Sequence, residues 1–88
     1  MQMAKPWPEA RQAVCDWYDL ADAARWTSPN EIRSSDPTAS TLANRRVVFN
    51  ILGNRFRLVV KVDYVEQKLF IRFFGTHDQY NKINAAEV

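Results

Sequence analysis

At 88 residues the chain suits one domain with a modest core, and 47% apolar with 25% charged residues is a folding composition, not that of a disordered tail. A net charge of only +2 excludes a uniformly basic protein, so any polyanion site must come from local clustering of charge. One cysteine and one histidine exclude an internal disulfide and the usual zinc-ligand sets, and the sequence has neither a membrane-spanning apolar run nor a secretory leader pattern, which places the chain in the cytoplasm with no membrane partner.

Met1 to Trp7 reads as irregular, because Pro6 and Pro8 delay a helix until Pro8 can occupy a first helical position. Ala10, Ala13, Val14, Trp17, Ala21 and Ala24 then recur at three- and four-residue spacing. This predicts an amphipathic helix over 8–25, with Trp17 as its core anchor and Arg11, Asp16, Asp19 and Asp22 outward. Cys15 falls in that pattern as a small, reduced, half-buried side chain. Ser28, Pro29 and Glu31 have the spacing of a capping box and start a short second helix over 29–34, which Asp36-Pro37 stops. Residues 39–44 read as a connection with Leu42 as an apolar tether.

Two β-rich runs flank Gly53-Asn54, a Gly-first pair suited to a two-residue type II′ hairpin. That turn predicts a register in which Asn50 faces Arg57, Val48 faces Val59 and Arg46 faces Lys61. One face of the ribbon is then Val47, Phe49, Ile51, Phe56, Leu58 and Val60, and the other carries three cations and an amide. A third strand over 68–74 continues the alternation, with Leu69, Ile71 and Phe73 toward the core and Phe70, Arg72 and Phe74 toward the basic face. Rings interleaved with cations suit single-stranded RNA, although a sheet buried on both sides accounts equally well for Phe70 and Phe74. From Arg45 to Arg72 there are seven Lys and Arg against two acids, which points to a phosphate-bearing partner. After Gly75, Thr76 and Gln79 form a second capping-box pattern, so a short helix over 77–83 would place His77 and Tyr80 on one face. There are no repeats and no sign of a second domain in 1–88.

A basic sheet followed by His77, Tyr80 and Lys82 could cleave RNA without a metal: a base takes the 2′-hydroxyl proton, cations stabilise the charged phosphoryl oxygens, and an acid protonates the leaving 5′-oxygen. Histidine titrates near neutrality, and Arg57, Lys61, Arg72 and Lys82 could supply charge. On spacing alone, a surface histidine and a packed tyrosine are equally admissible.

Three segments carry a wider pattern: 44–51 (NRRVVFNI), 53–59 (GNRFRLV) and 70–83 (FIRFFGTHDQYNKI), together with the inter-helix residues 26–29 and 36–40. Over about 17–88 the chain resembles the HigB toxins of type II toxin–antitoxin systems, within the RelE/ParE superfamily. The resemblance implies an α+β, RelE-like fold with two N-terminal helices on a small antiparallel meander and a short C-terminal helix. It also implies an mRNA endoribonuclease that needs no cofactor or metal, acts on ribosome-bound message and is neutralised by a HigA-type antitoxin, touching operator DNA only through that complex. Carried over by position, the catalytic candidates are His77 for proton transfer, Tyr80 for orienting or stacking, and Arg57 and Lys82 for phosphate contact. Asn50, Lys61, Arg72 and Arg46 are the RNA-binding candidates. The family begins with a short β-strand that 1–8 (MQMAKPWP) does not resemble, so the leading strand is expected to be absent. An open sheet edge, low solubility alone or a misplaced start codon would follow. Two other implied readings are a degenerate toxin acting as antitoxin-binding co-repressor, and a ParE-like gyrase inhibitor.

Overall fold

The computed structural model describes residues 8–88; the irregular start expected over 1–7, and with it the leading strand, lies outside the described residues. A 3-10 turn, Pro8–Ala10, leads into α1, Arg11–Ala24. Ala10, Val14, Trp17 and Ala21 are buried, while Arg11, Asp16, Asp19, Asp22 and also Ala24 are exposed, so the spacing located the buried stripe to within one residue. Cys15 is half-buried. Arg25 ends α1 in a left-handed conformation, φ 48°, and donates its amide to Ala21 O.

Helix α2, Pro29–Ser35, is capped at Ser28, whose hydroxyl accepts from the Glu31 amide at 3.4 Å. The expected box is displaced by one residue. The Glu31 carboxylate accepts from the Thr27 amide and hydroxyl, at 2.9 and 2.8 Å, because the extended backbone at Ser28 brings Thr27 rather than Ser28 over the helix end. At the other end Asp36 N–H donates to Ile32 O.

Four antiparallel strands follow as a meander: β1, Ser40–Thr41; β2, Arg46–Ile51; β3, Phe56–Asp63; and β4, Lys68–Thr76. Strand β1 corrects the expectation of a plain connection. Two residues are too few to show alternation, but Asn44 and Arg45, at φ 60° and 61°, turn the chain so that Ser40 pairs with Val48 and Thr41 with Val47. The β2–β3 register is the one predicted from the turn, with Arg46 opposite Lys61, Val48 opposite Val59 and Asn50 opposite Arg57. Gly53 takes φ +64° at the first turn position, and Arg55 N–H donates to Leu52 O at 3.3 Å. Leu52 is itself left-handed at φ 51°, which ends the ladder at Ile51 and Phe56.

Strand β4 departs from simple alternation. Ile71 pairs with Val60 but Phe73 pairs with Val59, so Arg72 is the extra residue of a β-bulge. The bulge exchanges the expected sides of Phe73 and Phe74. Phe74 joins the core, stacked on Phe56 with ring centroids 5.5 Å apart, and Phe73 packs on the opposite face. Helix α3 is one turn, His77–Tyr80, shorter than expected, and both halves of the Thr76/Gln79 capping box are present.

The main core lies between α1, α2 and one sheet face, with Val14, Trp17 and Ile32 against Val47, Phe49, Leu58 and Val60. Phe49 is fully buried between two indoles, edge-on to Trp17 at 5.1 Å and stacked on Trp26 at 5.7 Å. A smaller cluster on the other face joins Val48, Val59 and Ala85, with Leu42, Phe73, Tyr80, Ile83 and Val88 at its margin.

Two predictions follow from this packing. Phe49→Ala removes the ring common to both indole contacts and should cost about 3–5 kcal/mol, which for a domain of this size lowers the thermal midpoint by roughly 12 °C or more in calorimetry. The Thr27 amide, then its hydroxyl, holds the exposed Glu31 carboxyl below the ordinary carboxylate value. A lowered folded pKa stabilises the fold above the unfolded value and is lost as pH falls through the folded one. From about pH 6 to about pH 3 the unaltered chain should therefore lose more thermal stability than Glu31→Gln; equal losses would remove the charge from the account of this cap.

Candidate functional site

The sheet face turned away from the helices carries the residues singled out from the sequence. Its two polar pairs, Arg46/Lys61 and Asn50/Arg57, are separated by Val48/Val59. Four residues of extended strand put them about 13 Å apart.

At the hairpin end, Arg57 Nη1 donates to Asn54 O at 3.2 Å and to Phe56 O at 3.3 Å, and its guanidinium lies 6.0 Å from the Tyr80 ring centroid. The cation–π contact and two carbonyls hold a long side chain in one orientation. Tyr80 is half-buried on the Val48/Val59/Ala85 cluster. Asn50 donates through Nδ2 to Thr38 O at 3.2 Å.

His77 reaches this end through its backbone, its amide donating to Arg55 O at 3.2 Å beside the hairpin turn. The side chain is exposed, with Nδ1 3.1 Å from Asn81 Nδ2. An amide nitrogen only donates, so with Asn81 in this orientation Nδ1 is the acceptor and Nε2 carries the proton of the neutral ring. His77 thus engages Asn81, while Tyr80 turns to the apolar strip and Arg57. Lys82 is exposed just beyond α3, its amide bonded to Gln79 O at 3.1 Å.

At the other end, Arg46 Nε and Nη2 lie 3.1 and 3.0 Å from the main-chain oxygen of Val88, and Arg72 Nε lies 3.3 Å from the same atom. The bulge delivers Arg72 to this point. Asn44 donates to Ala86 O at 3.0 Å. Asn44, Arg45, Arg46 and Lys61 line a shallow depression with Ala86 and Glu87. The ion pairs among the described residues engage Arg55 with Glu9 and Lys68 with Glu66, not the cations of this face.

The structure therefore divides the candidates into an Asn50/Arg57/Tyr80 group, with His77 and Lys82 beyond it, and an Arg46/Lys61/Arg72 group. Phe70, opposite Lys61 in register, is 46% exposed and borders a separate cleft of about 340 Å³ near the end of α1, lined also by Tyr18, Trp26 and Leu69. None of the eight candidates lines that cleft. Among the described residues no three His, Cys, Asp or Glu side chains gather as a metal site, and no helix is long and apolar enough to cross a membrane. Sequence reasoning missed Asn81, which the four-residue spacing from His77 could have disclosed. It also missed the docking of 84–88, for which the sequence carries no periodic signal.

Residues 10–83 match the family model described as HigB_toxin, a RelE-like toxic component of a toxin–antitoxin system. The chain is also 21% identical over 84 residues, 93% of its length and 82% of the relative's, to the mRNA interferase HigB of Escherichia coli O6:H1, strain CFT073. The matched region holds both helices on one sheet face, the four-stranded meander and the turn of helix that presents His77. The chain accordingly belongs to the HigB family, as the RelE-like toxin of a toxin–antitoxin system whose partner is an antitoxin.

Proposed function

We propose that this chain is an mRNA endoribonuclease that cleaves by proton transfer and electrostatic stabilisation, without a metal or cofactor. The observation that carries this reading is the presentation of His77. Its ring is exposed at the hairpin end, with Nδ1 engaged by Asn81, beside a sheet end where Arg57 is held against Tyr80. The curated relative's name, mRNA interferase, supports the same reaction class.

In this reading the 2′-hydroxyl gives its proton to solvent water as its oxygen attacks the adjacent phosphorus, the bond to the 5′-oxygen breaks, and a 2′,3′-cyclic phosphate and a 5′-hydroxyl result. With a second proton on Nδ1, and the Asn81 amide turned to present its oxygen to it, the His77 ring is a cation whose Nε2–H protonates the leaving 5′-oxygen and which is left neutral. Arg57 and Lys82 balance charge on the phosphoryl oxygens, while Tyr80 positions or stacks a base. Asn50, Lys61, Arg72 and Arg46 contact the strand on either side. The substrate is ribosome-bound message, a HigA-type antitoxin silences the enzyme, and operator DNA is reached only through the toxin–antitoxin complex.

Induced expression followed by mapping of RNA 5′ ends tests this reading. The unaltered chain should create new ends and arrest growth. His77→Ala should lower cleavage by about 10²–10⁴-fold, the usual contribution of a positioned acid or base, and Arg57→Ala by about 10²–10³-fold, as for loss of one preorganised donor. Arrest without new RNA ends would favour a gyrase-directed toxin, and stable antitoxin binding without arrest a co-repressor. Cutting by His77→Ala and Tyr80→Ala at the normal rate would discard the site.

A further inference from the structure

An exposed imidazole on a single turn of helix turns freely about its side-chain bonds unless a neighbour orders it. His77 is such a ring, and Asn81 holds it twice. The Asn81 amide donates to His77 O at 3.1 Å and closes the turn, and the four-residue spacing brings the two side chains together, with Asn81 Nδ2 3.1 Å from His77 Nδ1. The turn is itself fixed. The Thr76/Gln79 capping box sets its start, the Lys82 amide bonds to Gln79 O at 3.1 Å, and the His77 amide is tied to Arg55 O at 3.2 Å. A ring engaged through Nδ1 presents Nε2 on the side away from Asn81.

A carboxamide suits this place because it ends in a donor and an acceptor of nearly the same shape. While the ring is neutral with Nδ1 bare, Nδ1 accepts from Nδ2–H. Once Nδ1 is protonated, a half-turn of the amide puts Oδ1 where Nδ2 was. The bond then persists in the cation that delivers the proton, and in the neutral ring left with its proton on Nδ1 after Nε2 has given its own away. Aspartate could only accept, which favours a protonated Nδ1, and alanine could do neither. With asparagine, proton exchange at Nε2 needs no reorientation of the ring.

We propose that Asn81 is the positioning residue of His77: its amide turns over with the protonation state of the ring and keeps Nε2 as the outward, proton-transferring nitrogen throughout the cycle. The inference rests on the RNA-cleaving reading above and gives Asn81 no contact with RNA. The charged and titratable groups on the elements around the ring are Asp78 and Tyr80 in α3, Lys82 just beyond it, and Arg55 and Arg57 at the hairpin. Arg55 is engaged by Glu9, and Arg57 by two main-chain carbonyls and the Tyr80 ring. Among the described residues the side-chain hydrogen bond of the imidazole is to the uncharged Asn81.

Imidazole nitrogen NMR of the full chain from about pH 5 to about pH 8, beside single-turnover RNA cleavage over the same range, tests this. Asn81 is exposed, so its replacement leaves the core untouched, and thermal unfolding checks that each variant is folded. In the unaltered chain the neutral ring should carry its proton on Nε2. Asn81→Asp should shift the neutral ring toward protonation on Nδ1. Its carboxylate also favours the ring cation, so cleavage should persist to higher pH, by about 0.2–0.7 of a unit for an exposed ion pair. Asn81→Ala should slow cleavage about two- to tenfold, as for loss of one ordinary hydrogen bond, with unchanged affinity for a non-cleavable 2′-O-methyl oligonucleotide. A neutral ring protonated on Nδ1 in the unaltered chain would overturn the proposal without any substitution. So would an unmoved tautomer and pH profile in Asn81→Asp, full-rate cleavage by Asn81→Ala, or a loss of oligonucleotide affinity in Asn81→Ala, which would make Asn81 an RNA contact. The expected tautomers in a chain that cuts no RNA would overturn the cleavage reading instead, and leave Asn81 in control of the ring.

Discussion

A one-residue slip of β2 against β3 would turn β2 over, placing Arg46 and Asn50 under the helices and Phe49 in water. The turn at Gly53 and Asn54 and the burial of Phe49 both oppose that slip. Gly53 accepts a positive φ without a side-chain penalty, and the Arg55–Leu52 bond closes a turn within residues 52–55, which link the last pair of the ladder. The two indoles around Phe49 then make the correct register the one that fills the core. Separation of a packing face from a cationic face is therefore a property of the register.

The bulge at Arg72 is the second constraint, and it acts within the first. Without it, continued alternation would set Phe73 in the core and leave Phe74 outside. With it, Phe74 reaches Phe56, and Phe73 contributes to the small cluster that Tyr80 and Ala85 share. Because the extra residue is an arginine, it meets Arg46 across the width of β3. One irregularity thus serves both the packing of the far end of β4 and the convergence of charge on the outer face.

Much of this was legible in the sequence where a local rule acts alone. The stripe of α1, the start of α2 at Ser28-Pro29, the hairpin register and the Thr76/Gln79 box each depend on residues within a few positions of one another. What escaped depends on contacts distant in sequence or on a choice between equal local options. Ser40–Thr41 becomes a strand only because β2 is beside it. The Arg72 bulge follows from which phenylalanine fits against Phe56, and alternation alone cannot rank Phe73 against Phe74. Glu31 could serve either Thr27 or Ser28, and the extended backbone at Ser28 decides. His77, Tyr80, Arg57 and Asn50 could be named from the sequence, but the engagement of His77 with Asn81 and of Tyr80 with Arg57 required the fold.

Gly75 links the scaffold to the chemistry. A Cβ there would lie 2.5 Å from Gln79 Oε1 and 2.8 Å from the Phe73 ring, closer than real side-chain contacts allow. Gln79 Oε1 is the atom that accepts from the Thr76 amide, so a side chain at Gly75 would force the cap open. With the cap closed, the chain turns directly from the last pairs of β4 into α3, and the His77 amide can reach Arg55 O at the hairpin tip. The histidine is thereby registered against the same turn that sets the Asn50/Arg57 pair. Two segments more than 20 residues apart in sequence share one reference point, which a mobile tail carrying the same side chains could not provide.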